Sequence, residues 1–301
     1  MKVFVCFTPL HVLISKRIIF EEGIEDYFCF YLGLNKNKKN LFYYEKLSAK
    51  SIRSKFISIG RKNILSILLL MFEGLVLRLR CDNNLIFYTG NIKKMHSRFL
   101  MFLSGYKSIV TFDDGVGNLV SDGYFSSDER IFFKWFFLIF NSQLTYKYII
   151  ENIDKHYTIY DFKNIFKNTV KIILFKDNIN RQSGEKIVVL VTSPFAFFDM
   201  MSKSNEINLY DRLIKDYNVD FIINHPLDSK EYLYDGCKVI NSKFIAEELV
   251  FKLLQKNDVT VIGTYSSVLL NLSSVHGVNV VNVPVKLKRD VSELDLIFDK
   301  L

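Results

Sequence analysis

The sequence predicts an α/β fold in which two Rossmann-like domains face a cleft. Short apolar runs that are typical of strands alternate with helix-like runs, a pattern that favours parallel sheets. The same alternation starts again near residue 186. The 301 residues are 49% hydrophobic, which is enough for two domains with sizeable cores. We therefore predict an N-terminal domain over residues 1–180, a C-terminal domain over 186–285 and a tail over 286–301.

The elements of the first half follow from the hydrophobic pattern. The opening stretch alternates polar and apolar residues and is broken at Thr8-Pro9, so it predicts a strand entering a helix and not a signal peptide. The basic run Lys36–Lys39 predicts a solvated loop. Strands are predicted at Val3–Phe7, Tyr27–Leu32, Asn84–Tyr88 and Ser108–Phe112, and helices at His11–Phe20 and Lys93–Leu103.

The second half repeats this order of elements after a polar linker. The linker is Lys176–Lys186 (KDNINRQSGEK), which is poor in apolar residues. Strands are predicted at Ile187–Val191, Asp220–Ile223, Val259–Ile262 and Val278–Val283, and helices at Ile207–Tyr217, Phe244–Leu254 and Val268–Val275.

Two longer apolar runs fall short of a membrane-spanning helix. Ile64–Leu79 is interrupted by Glu73 and Arg78, and Ile131–Phe140 is only ten residues long. Both runs predict buried helices. The alternative is that one of them lies on a membrane face, with nearby basic residues meeting anionic lipid.

Charge and cysteine content bound the function less sharply. The net charge of +8 suits an anionic membrane, an acidic substrate or nucleic acid, or reflects a lysine-rich genomic background. The four cysteines have neither CxxC nor metal-ligand spacing, so we predict reduced core residues in a cytosolic protein. They are Cys6, Cys29, Cys81 and Cys237.

Two adjacent carboxyl groups form the first candidate site. Asp113 and Asp114 directly follow the strand that ends at Phe112, and ligands of open α/β sheets bind beyond the carboxyl ends of strands. One of the pair can act as a general base while its neighbour tunes it. Strand alternation would place them on opposite sides and favours Asp113 as the one facing the cleft. The structural alternative is an Asp-Gly turn.

The second and third candidates lie at strand ends of the C-terminal half. His225 follows a strand and is stiffened by Pro226, and a histidine there can bind a phosphate or act as a general acid. Ser266 and Ser267 precede the helix from Val268, where hydroxyls and backbone N–H groups can hold a phosphate. Ordinary helix capping by these serines is the alternative.

Two more residues complete the candidates: Glu247, near the start of a helix, and Ser193, which follows the strand Ile187–Val191 and is predicted to border the cleft and contact the bound nucleotide. A carboxyl group at a helix start usually complements the dipole, and it can also bind ribose hydroxyls. The sequence contains no GxxxxGK[ST], GxGxxG, HExxH or GxSxG motif. The residues that characterise kinases, dehydrogenases, zincins and serine hydrolases are therefore missing from it.

Taken in order, these segments resemble bacterial glycosyltransferase family 52, the lipooligosaccharide sialyltransferases. The resemblance is carried by VFVCFTPLHVLISKRI, TFDDGVGNL, HYTIYDFKNI, INHPLD and the Ser-Ser turn, and it covers roughly residues 1–285. It implies a GT-B fold, inversion at the anomeric carbon, no metal and no cofactor, with CMP-sialic acid as co-substrate bound mainly to the C-terminal domain.

The resemblance also implies roles for individual residues. His225 would meet the CMP phosphate and protonate it, and Ser266 and Ser267 would hold the same phosphate. Glu247 would contact the ribose. Asp113 or Asp114 would be the base or would form part of the acceptor side of the cleft.

One departure from the family pattern concerns the base. Some members carry an acidic residue directly after the Ser-Pro pair, where this chain has Phe195. The nearest carboxyl groups are those of Asp199 and Glu206, which become alternative bases.

The sequence is therefore interpreted as a sialyltransferase that acts on a galactoside of lipooligosaccharide or capsule. The expected partners are CMP-sialic acid, a galactose-terminated glycan and, peripherally, an anionic membrane on the cytoplasmic side; a homodimer is an option and nucleic acid is not expected. Alternatives are a transferase of another nucleotide sugar and a non-catalytic peripheral membrane protein on a decayed transferase fold.

Overall fold

The computed structural model describes residues 1–60, 64–81, 84–119, 141–175, 184–227, 237–288 and 291–301, together with Trp135 and Leu138. The chain divides into two compact units, Met1–Leu174 and Phe175–Leu301. Most of the predicted linker, residues 176–183, lies outside the described residues, as does most of the predicted helix Ile131–Phe140.

The first unit contains a seven-stranded parallel sheet with the order β3-β2-β1-β4-β5-β6-β7. The order reverses between β1 and β4, so the carboxyl ends of these two strands border a crevice of the kind that binds ligands in open α/β sheets. The strands are β1 Lys2–Cys6, β2 Tyr27–Gly33, β3 Arg53–Ser58, β4 Leu85–Thr89, β5 Tyr106–Phe112, β6 Lys155–Thr158 and β7 Thr169–Lys171.

Local sequence explains how the first helix starts where it does. The Thr8 hydroxyl accepts a hydrogen bond from the backbone N–H of His11 at 3.3 Å, and Pro9 occupies the first helical turn. The helices of this unit are α1 Pro9–Glu21, α2 Lys38–Ser48, α3 Ile64–Cys81, α4 Met95–Ser104 and α5 Tyr146–Glu151. The prediction of a loop at Lys36–Lys39 was wrong in part, because Asn37 caps α2 and the helix begins at Lys38.

Helix α3 does not match the prediction of a buried helix. One face packs closely on α4, where a Cβ at Gly74 would lie 2.7 Å from the Cβ of Leu103. The opposite face carries large apolar side chains that are exposed to solvent: Leu65, Leu68, Leu69, Met71, Phe72, Leu75 and Leu79. Among the described residues, no helix is long and apolar enough to cross a membrane.

The second unit contains a five-stranded parallel sheet with the order β10-β9-β8-β11-β12. Its strands are β8 Lys186–Val191, β9 Phe221–Ile223, β10 Lys238–Val239, β11 Asp258–Gly263 and β12 Val278–Asn282. Its helices are α6 Lys203–Tyr217, α7 Ala246–Leu254, α8 Ser267–Ser273 and α9 Ser292–Phe298.

The predicted tail over 286–301 is part of this second unit. Phe298 of α9 is buried and packs edge-on against Tyr265, with ring centroids 5.7 Å apart. The Tyr265 hydroxyl also donates a hydrogen bond to Asp295. The C-terminal helix is thereby attached to the loop that follows β11.

Candidate functional sites at the strand ends

Three polar side chains converge at the carboxyl edge of the first sheet. His11 follows β1, Asn91 follows β4 and Asp114 follows β5, three neighbouring strands. His11 Nε2 lies 2.7 Å from Asp114 Oδ1, and Asn91 Nδ2 donates to Asp114 Oδ2 at 2.5 Å. The carboxyl group of Asp114 is therefore held at both of its oxygens at the crevice where the strand order reverses.

The orientation of His11 follows from its second nitrogen. The backbone N–H of Phe7 donates to His11 Nδ1 at 3.2 Å, so the neutral ring carries its proton on Nε2 and donates it to Asp114. His11 is completely buried. Its ring fits only because residue 90 is glycine: a Cβ at Gly90 would lie 2.5 Å from His11 Cε1.

Asp114 is the accessible carboxyl group of the pair, with 22% of its side chain exposed. Burial raises the pKa of Asp114, but the interactions with His11, the Asn91 hydrogen bond and the Lys94 charge outweigh burial and leave this pKa below its usual value. Burial lowers the pKa of Lys94, and the charge of Asp114 opposes that effect. Asp114 therefore presents an ionised carboxylate to solvent at neutral pH.

Asp113, in contrast, is completely buried. Its Oδ1 lies 2.6 Å from Asn118 Nδ2 and 3.0 Å from His156 Nε2. Its Oδ2 accepts hydrogen bonds from the Thr158 hydroxyl at 2.9 Å and from the backbone N–H of Ile159 at 2.6 Å. The prediction that Asp113 faces the cleft was therefore wrong, because its carboxyl group is used to join the end of β5 to the end of β6.

The turn after β5 explains why Asp114, and not Asp113, is exposed at the strand end. Strand β5 ends at Phe112, so strand alternation does not continue through the pair. Gly115 has φ +70°, a conformation that favours glycine, and starts a short 3₁₀ helix over Gly115–Asn118. This turn brings Asn118 back to Asp113 and leaves Asp114 at the open edge.

The second sheet brings the other predicted residues to its own carboxyl edge. The backbone N–H of His225, after β9, donates to the Thr192 hydroxyl after β8 at 2.9 Å. The Ser193 hydroxyl donates to the Thr264 carbonyl after β11 at 2.9 Å. Three adjacent strand ends are thus tied together by side chains. Ser193 is buried in this arrangement and its hydroxyl braces the edge, and a contact of Ser193 with the nucleotide sugar stays a prediction.

His225 has a defined ring orientation. Its Nδ1 accepts a hydrogen bond from the backbone N–H of Leu227 at 3.2 Å, so the neutral ring carries its proton on Nε2. Pro226, between them, is exposed and fixes the turn that permits this contact. A ring held this way presents an N–H donor, which suits a phosphate oxygen.

The segment Thr264–Ser267 follows β11 at the same carboxyl edge of the second sheet. Tyr265 has φ +45°, and its backbone N–H donates to Asn282 Oδ1 at 2.9 Å. Ser266 is the N-cap residue of α8, yet its hydroxyl makes no capping hydrogen bond to the helix. The Thr264 Oγ1 is buried without a hydrogen-bond partner among the described residues. Helix capping by Ser266 would need a hydrogen bond from the helix backbone to its hydroxyl, and that bond is not formed.

Glu247 lies in the first turn of α7 and is buried. Its Oε1 accepts a hydrogen bond from Asn271 Nδ2 of α8 at 2.6 Å. This contact joins the two helices, and a contact of Glu247 with a ribose stays a prediction.

The two alternative bases lie in different surroundings. Glu206 is buried and its Oε2 accepts the backbone N–H of Ala196 at 2.6 Å, which braces the loop after Ser193-Pro194. Asp199 is highly exposed on that loop and pairs with Lys288 at 2.5 Å. Phe195 is buried beneath the same loop. The position directly after Ser193-Pro194 is therefore occupied by a buried aromatic side chain, while Glu206 is buried as an acceptor and Asp199 lies four residues further along the loop.

Asn91, Lys94 and His156 belong to the site but were not predicted. Asn91 was signalled only by the Gly-Asn break after the strand ending at Thr89. His156 lies 43 residues from its partner Asp113, a pairing that no local pattern indicates. Within the described part of the chain, no group of three or more His, Cys, Asp or Glu side chains is arranged to hold a metal ion.

Comparison with known proteins places these features in a family. A model of glycosyltransferase family 52 matches residues 25–287. The chain is 26% identical to the N-acetyllactosaminide alpha-2,3-sialyltransferase of Haemophilus influenzae, covering 91% of this chain and 89% of that one. It is 27% identical to the CMP-N-acetylneuraminate:beta-galactoside alpha-2,3-sialyltransferase of Pasteurella multocida, covering 99% and 96%.

Among solved structures, the chain resembles the UDP-GlcNAc 2-epimerase of Methanocaldococcus jannaschii. The TM-score is 0.51 at 10% identity, covering 94% of this chain and 89% of that one. This likeness concerns the fold alone and agrees with two parallel α/β sheets of the GT-B type. Since the family model matches most of its length, the chain belongs to glycosyltransferase family 52.

Proposed function

We propose that this enzyme transfers sialic acid from CMP-sialic acid to the 3-position of a terminal β-galactoside, with inversion and without a metal ion. The observation that carries the proposal is Asp114, an accessible carboxyl group fixed by His11 and Asn91 at the switch point of the first sheet. The names of the two relatives support the donor, the acceptor and the linkage.

In this mechanism Asp114 is the general base. The acceptor hydroxyl gives its proton to Asp114 while its oxygen forms a bond to the anomeric carbon of sialic acid. The bond from that carbon to the phosphate oxygen breaks, and its electron pair leaves with CMP. A carboxylate with a lowered pKa is a weak base, which suits proton transfer late in the attack on an oxocarbenium-like centre.

His225, Ser266 and Ser267 act on the leaving group in the same proposal. The Nε2–H of His225 would donate to the phosphate and neutralise the charge that develops when CMP leaves. The hydroxyls of the two serines would supply further donors, and Glu247 would meet the ribose. Support comes from the ties between Thr192 and His225 and between Ser193 and Thr264, which hold these strand ends in fixed positions.

The change from an acid to Phe195 after Ser193-Pro194 supports a base in the first unit. Glu206 is buried as a hydrogen-bond acceptor of the loop, and Asp199 is paired with Lys288. Asp114 has the exposure that a general base needs.

The proposal is tested by a product assay. CMP-sialic acid is incubated with a β-galactoside, and the product is identified by mass and by linkage analysis. A sialylated product with an α-2,3 linkage from the unmodified chain, lost in Asp114→Asn and kept in Asp26→Asn at an exposed acid, is the expected result. Absence of product from the folded wild-type enzyme with this donor would refute the proposal.

A binding experiment identifies the donor separately. A ligand that binds only the folded state raises the melting temperature, so CMP should stabilise the protein more than UDP at equal concentration. A larger shift with UDP would assign a different nucleotide sugar.

The proposed place of action is the inner face of the cell membrane, with peripheral contact to anionic lipid. The net charge of +8 supports this contact, because anionic membranes attract basic surfaces. A homodimer stays a prediction from the sequence.

A further inference from the structure

Helix α3 is apolar on both of its faces, unlike an ordinary surface helix. Its packed face contributes Leu70 and Leu77 to the core and also buries Ser66 and Glu73. Its solvent face carries seven large apolar residues spaced by three or four positions along most of its length: Leu65, Leu68, Leu69, Met71, Phe72, Leu75 and Leu79. From Leu65 to Leu79 this apolar stripe runs about 21 Å, at about 1.5 Å per residue. Contiguous exposed apolar surface of this kind marks an interaction site.

The helix is fixed in this orientation by specific contacts. The Arg53 guanidinium on β3 donates to both carboxyl oxygens of the buried Glu73, each at 2.8 Å. Gly74 allows close approach to Leu103 of α4. Rotating the helix to bury the stripe would break the Arg53–Glu73 pair and would separate Gly74 from Leu103. The apolar stripe is therefore held outward by the fold.

The charges around the stripe indicate what covers it. Arg78 and Arg80 lie in the last turn on the exposed side. The only carboxyl group of the helix is Glu73, which is buried and bound to Arg53. The exposed face thus combines apolar side chains with cations and carries no acid of its own.

We propose that the apolar stripe of α3 lies in the surface of an anionic membrane. The apolar residues would enter the acyl boundary while Arg78 and Arg80 meet lipid phosphates, the arrangement of interfacial helices. A second copy of this chain fits less well. An antiparallel pairing would set the arginines against a face without acids, and a parallel pairing would set them against each other.

The inference does not depend on the sugar-transfer reaction, since α3 contributes no residue to the proposed sites. It specifies which surface makes the peripheral contact, and it predicts a helix lying in the membrane plane. Such an orientation would suit an acceptor glycan that is carried on a lipid.

The test is sedimentation with vesicles of phosphatidylcholine, with and without phosphatidylglycerol. Wild-type protein should bind the anionic vesicles and release as salt rises, because screening weakens the attraction. The double variant Leu68→Ser/Phe72→Ser should lose at least about a hundredfold in partitioning, from the loss of two buried apolar side chains. The matched control Leu34→Ser/Leu296→Ser removes exposed apolar residues elsewhere and should bind like wild type.

A second pair of variants separates local charge from net charge. Arg78→Gln/Arg80→Gln should weaken binding by about thirtyfold, the factor expected for two cations at an anionic surface. Lys215→Gln/Lys256→Gln changes the net charge equally at exposed positions of the second unit and should have little effect. All variants should keep turnover on a soluble galactoside within about twofold of wild type.

Two outcomes would overturn the proposal. Vesicle binding that is unchanged by both α3 variants would place the membrane contact on another surface. A wild-type dimer in light scattering that becomes a monomer in Leu68→Ser/Phe72→Ser, without vesicle binding by either, would assign the stripe to a second copy.

Discussion

His11 Nε2 and Asp114 Oδ1 lie 2.7 Å apart, while the adjacent Asp113 has no exposed atom and is held by four other groups. Two neighbouring aspartates thus have different tasks: Asp114 is positioned at an open edge, and Asp113 joins two strands. Substitution of Asp114 is therefore expected to affect activity, and substitution of Asp113 is expected to affect stability.

Asp114→Asn should lower kcat/KM for CMP-sialic acid by about a hundredfold or more, because general-base catalysis usually contributes at least that factor. The amide keeps the shape of the side chain but cannot take the proton. Product formation is measured against Asp26→Asn, which removes an exposed acid. A fully active Asp114→Asn enzyme would move the base elsewhere.

Asp113→Asn should lower the free energy of unfolding by about 2–4 kcal/mol, because the new amide group leaves buried donors without an acceptor. Urea unfolding measures this, and turnover is assayed on the fraction that stays folded. A variant with wild-type stability and no turnover would contradict the structural role of Asp113.

His225→Ala should reduce turnover by about a hundredfold or more, the usual effect of losing leaving-group stabilisation. The control is His276→Ala, an exposed histidine after α8. We expect the unfolding free energy of both variants to match the wild type closely. Equal turnover in the two variants would remove His225 from the mechanism.

The lowered pKa of Asp114 predicts a pH dependence of stability. The unfolded chain takes up the proton first as the pH falls, so the carboxylate stabilises the fold above its unfolded pKa of about 3.9 and stops doing so below its folded pKa. The stability difference between wild type and Asp114→Asn should therefore be constant between about pH 7 and 5 and shrink in acid below about pH 4. Urea titrations of both proteins at these pH values test this, and a difference that grows in acid would contradict the direction of the shift.

Activity should survive excess EDTA with less than about a twofold loss. CMP is a monophosphate leaving group, and the proposed donors from His225, Ser266 and Ser267 would offset its charge without the several kcal/mol that a Lewis acid supplies. The assay is repeated after adding magnesium or manganese. Loss of activity in EDTA that either ion restores would show that the mechanism is misassigned.

The sequence was sufficient to predict most strands and the strand ends that carry the site. Buried parallel strands such as β1 and β8 are short apolar runs, and the residues after them are polar. The local sequence is therefore enough to predict where these strands end. The local sequence could not predict which carboxyl group of the Asp113-Asp114 pair is exposed. That exposure depends on a glycine turn with positive φ and on Thr158 and Ile159, which belong to a strand end more than forty residues away.

Helix α3 shows a second limit. Its apolar run favoured a buried helix, since composition alone does not reveal which face of a helix packs on the protein. The direction is set by Glu73, whose partner Arg53 lies on a strand, β3, that the hydrophobic pattern did not predict. The ion pair between Arg53 and Glu73 therefore determines which face of α3 packs on the protein, which the hydrophobic periodicity of the helix did not predict.

Gly90 has a consequence for any genetic screen of this enzyme. Its lack of a side chain is what leaves room for the His11 ring, since a Cβ would lie within 2.6 Å of two ring atoms. Random mutagenesis screened for loss of sialyltransferase activity should therefore recover substitutions of Gly90 alongside those of Asp114 and His11. Such alleles would look like damage to an inert position, although they act by displacing the ring that orients Asp114.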